Sequence, residues 1–78
     1  MSKASLFPQS SMMLEHDFVE LLANKNRDQS VAAGSRGVVV HLHKGGQACE
    51  VEFLRADGST ICVQTVTVDQ LRVIKRNN

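Results

Sequence analysis

The 78-residue chain carries nine lysines and arginines against eight aspartates and glutamates, a formal net charge of +1. That balance lacks the basic excess that concentrates a protein on nucleic acid or anionic lipid. The length allows one small domain, and with two cysteines and no metal-ligand spacing to staple it, self-association is the stabiliser left, so a homo-oligomer is expected.

The first fifteen residues lack the apolar stretch of a secretory signal, and no apolar run approaches the roughly 18 residues that cross a bilayer. Reduced thiols at Cys49 and Cys62 and a cytoplasmic, soluble protein without membrane contact are the expectation. Residues 1–13 read as a flexible leader, 14–76 as a β-barrel domain and 77–78 as a tail.

Leu14 to Ala23 is ambiguous. Leu14, Phe18, Leu21 and Leu22 fit a helical stripe, which local pattern slightly favours, while Val19 and Leu21 on one face fit a short strand. Asn24 to Ser30 is a polar loop, and Gly34 to Gly37 turns the chain into the next strand.

Gly37 to His43 and Ala48 to Phe53 are alternating runs on either side of Lys44-Gly45-Gly46-Gln47, the pattern of a β-hairpin. With Gly45-Gly46 as a two-residue turn, Lys44 faces Gln47 and continuous pairing sets Leu42 against Cys49, Val40 against Val51 and Val38 against Phe53, so one face is wholly apolar. The other face then holds Val39, His41, Glu50 and Glu52. A three-residue Ala56-Asp57-Gly58 loop, with Gly58 left-handed, pairs Phe53 with Ile61 and Val51 with Val63 and sends Cys62 and Gln64 outward. Thr67 is a candidate cap for one short helical turn before a last strand at Leu71 to Ile74, followed by a polar tail.

This order predicts a mostly β, five-stranded domain, and it resembles the Src-homology-3-like small barrels. More specifically, Phe18-Val19-Glu20-Leu21-Leu22, Gly34-Ser35-Arg36-Gly37-Val38-Val39-Val40, Glu50-Val51-Glu52-Phe53, Asp57-Gly58 and Asp69-Gln70-Leu71-Arg72 resemble an uncharacterised bacterial family of short proteins of unknown function. The likeness covers roughly residues 17–74, rests on turn glycines and core positions, and implies a strand at Phe18–Leu22. A weaker likeness, in Gly37-Val38-Val39, Val63-Gln64 and Leu71, is to the type II dihydrofolate reductases, in which four small barrels share one pore. It implies a pore or interface role for Gln64. The positions after Gln64 are Thr65 and Val66 where that family has Ile-Tyr, and the chain has no tyrosine or tryptophan.

Chemistry is sparsely written in the residues. His41 and His43 share a strand face near Glu50, but no third ligand is fixed by spacing, so an ordinary cross-strand pair is expected and no metal. Cys62 with His41 lacks an orienting carboxylate or amide and an oxyanion hole, and no catalytic residue or cofactor is expected. Arg36, Arg55, Arg72, Lys75 and Arg76 lack an exposed aromatic platform for bases, which makes nucleic-acid binding the lesser alternative. The expected function is protein–protein contact by an adaptor or antidote-like accessory protein that binds itself or another protein. Its expected interface comprises Val39, His41, Glu50, Glu52, Cys62 and Gln64.

Overall fold

The computed structural model describes residues 13–76. The expected leader and tail lie outside the described residues, except that Met13, grouped with the leader, packs into the core at 5% exposure. Strands β1 (Phe18–Leu21), β2 (Arg36–Leu42), β3 (Ala48–Leu54), β4 (Thr60–Thr67) and β5 (Leu71–Lys75) form one antiparallel sheet in the order β4-β3-β2-β1-β5. A 3-10 turn at Val68–Gln70 precedes β5, and another at Lys44–Gly46 lies inside the β2–β3 connection. The mostly β reading, with a short helical turn before the last strand, therefore holds.

The slight preference for helix over Leu14 to Ala23 does not. Val19 and Leu21 alternate into the core, Leu14 to Asp17 is a turn in which the Asp17 carboxylate accepts the Leu14 N–H at 2.9 Å, and His16 takes φ 73°. Tertiary pairing of Phe18–Leu21 with both β2 and β5 outweighs local periodicity here. Asp17 is buried and answered by Arg76, whose Nε lies 3.2 Å from its carboxylate and ties the end of the described chain to the entry of β1.

The three-residue second turn forms as the sequence implies, whereas the first closes at His43 and Ala48 around a 3-10 turn over Lys44–Gly46 instead of a two-residue Gly45-Gly46 turn, and both registers slip by one residue beyond the turns. In the first, His43 donates to the Ala48 carbonyl and Leu42 pairs with Cys49, but a bulge at Val40 brings Val39 opposite Val51 and Gly37 opposite Phe53. In the second, Arg55 donates to the Ser59 carbonyl across the three-residue loop and Gly58 takes φ 91°. A bulge at Ile61 then sets Phe53 against Cys62 and Val51 against Gln64, overturning the expected Phe53–Ile61 and Val51–Val63 pairs. An extra residue bends its strand and raises local twist, which lets a single small sheet curl over its own core.

The inner faces change accordingly. β3 keeps Cys49, Val51 and Phe53 inward, while β2 contributes Val39 rather than Val38 and Val40, and β4 contributes Gln64 and Val66 rather than Val63. Val19, Leu21, Val31, Val68 and Leu71 complete the core. Two buried glutamines fasten the 24–30 loop over it. Gln70 Oε1 accepts the Lys25 N–H at 2.7 Å, and Gln64 Nε2 donates to the Ser30 hydroxyl at 3.2 Å while its Oε1 accepts from Asn26. Gln70 Nε2 donates in turn to the Thr67 hydroxyl at 2.9 Å, so both ends of each buried amide are bonded.

A candidate interaction face

Because the bulges invert β2 and β4, the outward side of the sheet carries a different set of residues from the one the uninterrupted pattern implies. Phe18, Val38, Glu52 and Val63 stand side by side across β1 to β4. Toward one end of the strands lies the row Arg72, Glu20, Arg36, Leu54 and Thr60, and toward the other His41, Glu50 and Thr65. Val63 is 53% exposed, Val40 is exposed on its bulge, and Phe18, Val38 and Leu54 are half-buried.

The expected interface residues do not come together. Val39 is fully buried beneath the sheet, Gln64 is 7% exposed and bonded to the 24–30 loop, and Cys62 packs against the core with its Sγ 3.7 Å from the Ser30 hydroxyl. His41, Glu50 and Glu52 do face outward, with His41 opposite Glu50 as expected. Gln64 is thus spent on loop anchoring rather than presented to a pore. The residues that sequence reasoning missed are Val38 and Val63, because three consecutive valines at Val38–Val40 carry no parity of their own and a bulge leaves no local signal in them. Phe18, which the sequence placed on a helical stripe with Leu21, belongs to the outward row as well.

Charge is distributed unevenly along this face. Glu50 accepts from the Thr65 hydroxyl and from His43 Nε2, each at 2.8 Å, and these bonds, Thr65 first, hold its carboxyl below the usual 4.5. His41 approaches Glu15 at 3.9 Å and meets His43 edge-on at 5.4 Å. Glu52 accepts from the Thr60 hydroxyl, and no cationic side chain pairs with it among the described residues. At the opposite end Glu20 is bound by Arg72, whose hydrogen bond lowers its pKa, whereas Arg36 has no carboxylate within bridging distance among the described residues. Arg55 spends its guanidinium on the Ser59 hydroxyl at 3.2 Å and the Thr60 carbonyl at 2.9 Å. These two arginines border a cleft of about 420 Å³ that is also lined by Phe18, Leu54, Gly34 and Ser35.

The remaining chemistry is quiet. Burial, with Glu50 adding to it, pushes the Cys49 thiol up to about 11, which keeps it protonated and unreactive near neutrality. Among the described residues, no three of histidine, cysteine, aspartate and glutamate gather into a group that could hold a metal. No helix among them is long and apolar enough to cross a membrane.

Residues 15–73 match the model of the family described as domain of unknown function (DUF4926). The chain belongs to this family. The match begins in the turn before β1 and ends inside β5, so it takes in β1 to β4, the start of β5 and the bulges at Val40 and Ile61. No curated protein and no solved structure matches the chain.

Proposed function

We propose that this DUF4926 domain is a non-enzymatic interaction module, an adaptor or antidote-like accessory protein of the bacterial cytoplasm. In this reading it works by protein–protein contact through the outward face of β1–β4 and assembles as a homo-oligomer. One observation carries the reading: the cross-strand row Phe18, Val38, Glu52 and Val63 keeps apolar side chains at the surface, with the Val40 and Leu54 side chains beside it and charged residues around them. Exposed apolar side chains gathered on one face around a single carboxylate, with further charges at both ends, are what a contact surface offers a partner. Its place on a hydrogen-bonded sheet gives it a fixed shape, so little ordering entropy opposes docking.

The test is Val63→Asp, at a position that is mostly exposed and outside the core. In the free domain the carboxylate stays in water and circular dichroism remains that of the wild type. In a complex it is buried without a partner, at a cost of several kcal/mol. Light scattering at matched concentration is expected to show the variant at lower mass than the wild type. A wild-type oligomer that tolerates Val63→Asp unchanged would refute the assignment of this face.

A further inference from the structure

The outward face has opposite electrical ends, and it is the ends, rather than the apolar row, that specify a partner. Arg36 and Arg55 stand at the cleft end with no carboxylate bridged to either among the described residues. The acidic groups near that end are already engaged, Glu20 by Arg72 and Asp57 by the Ser59 backbone and hydroxyl. Beyond the row of Leu54, β3 presents Glu52 and then Glu50, with Glu15 farther on beside His41. Along one strand direction the surface therefore passes from guanidinium to carboxylate within a few residues.

We infer that the occupant of this face is a second copy of the same chain, docked by a two-fold axis that runs across the strands between the Arg36–Leu54 row and the Val38–Glu52 row. The inference rests on the interaction-face reading above and adds the symmetry and register of the contact. A two-fold contact is isologous, so a surface serves only if it complements itself after rotation. An axis along the strands would stack the arginine ends on each other. An axis across them, placed on the Val38–Glu52 row itself, would set Glu52 over Glu52. Placed one half-step toward the cleft, it brings residue 54 of β3 over residue 52 of the partner and residue 50 over residue 56. Leu54 then seats between the partner's Val38 and the partner's Val63, which flank the partner's Glu52 in its row. Arg36 reaches the partner's Glu52 one strand over, about 4.8 Å sideways, and Arg55 reaches the partner's Glu50, across sheets about 10 Å apart.

Each copy thus supplies a guanidinium to the partner's Glu52, which has no cation of its own among the described residues, and a second to the partner's Glu50, which already holds His43. A face four strands wide and three cross-strand rows deep is roughly 20 Å by 20 Å, which places the contact at the small end of specific interfaces and makes the dimer a weak one. Complementary charge fixes its register more than its strength.

The experiment uses the full chain and two charge reversals, Arg36→Glu and Glu52→Arg, in sedimentation velocity from about 10 μM to 1 mM, the range where so small an interface dissociates. Arg36 bridges to no carboxylate among the described residues and Glu52 makes one side-chain bond, to Thr60, and circular dichroism checks that both variants fold. The wild type is expected to dimerise across this range. Each variant alone places like charges together twice and is expected to dimerise at least tenfold more weakly. Mixed one to one, the two variants form a heterodimer in which one contact keeps its wild-type charges and the other has them exchanged. Both contacts are then attractive, and the dimer is expected to return. A wild type that stays monomeric at the highest concentration overturns the inference. So does a dimer that Val63→Asp disrupts but the mixture fails to rescue, and that result leaves the interaction face standing. A dimer indifferent to Val63→Asp and to both reversals removes the face and the inference together.

Discussion

The slipped register of β2 makes Gly37→Ala a sharp test of the fold. With β2 and β3 paired as the bulge at Val40 dictates, Gly37 lies opposite Phe53 and faces inward. A Cβ there would collide with the Glu52 carbonyl oxygen and come within 2.9 Å of Val51 Cγ1. The Glu52 oxygen belongs to the backbone of the central strand, so no rotamer change relieves the contact, and β2 has to move away from β3. Overfilling a packed site in this way costs about 1–3 kcal/mol. The backbone at Gly37 is not left-handed, so alanine would otherwise gain about 0.4–1 kcal/mol by restricting the unfolded chain. The expected net loss is about 1–2 kcal/mol, which in a domain this small lowers Tm by about 5–15 °C. Thermal unfolding followed by circular dichroism measures it beside Val38→Ala, which trims a half-buried outward residue and is expected to cost under about 1 kcal/mol. In an uninterrupted register the order reverses, because Val38 would then be core and Gly37 would face solvent. A Gly37→Ala domain as stable as the wild type, with Val38→Ala severely destabilised, would refute the bulge.

Acid should weaken the fold in a defined direction. Glu20, Glu50, Asp28, Asp57 and Asp69 all titrate below their ordinary 4.5 and 3.8, chiefly through hydrogen bonds from Arg72, Thr65, Ser30, Ser59 and Thr67 respectively. A folded value below the unfolded one gives stability that is complete above the ordinary value and is lost as pH falls through the lowered one. Tm is therefore expected to hold above the ordinary carboxylate values and to decline below them, less steeply in Glu50→Gln; a Tm that rises on acidification contradicts this. The thiols should differ as well, since Cys49 is wholly buried with its pKa raised to about 11 while Cys62 is partly accessible. Iodoacetamide on the native protein is expected to label Cys62 alone by mass spectrometry, and rapid labelling of Cys49 would place it wrongly in the core.

Turn chemistry and β3 were legible in the chain itself. Gly45-Gly46 and Asp57-Gly58 can supply positive φ without steric cost, so they mark both connections, and strict alternation in Ala48–Leu54 assigns Cys49, Val51 and Phe53 to one face. Thr67 through Gln70 likewise announces the short turn before β5, although the Thr67 hydroxyl bonds to Asp69 rather than capping the backbone. His41 opposite Glu50 follows from counting outward from the first turn. What only the folded sheet decided is where that counting stops. Val38, Val39 and Val40 are equally apolar, and so offer no reason to prefer one parity, and the same holds for Ile61 through Val63. The choice falls to curvature: a small sheet must coil to enclose its core, a bulge in each strand flanking β3 provides the bend, and each bulge turns the rest of its strand over. That inversion sends Val39 and Gln64 inward and brings Val38 and Val63 out beside Glu52, which is why the outward face exists only in the tertiary structure.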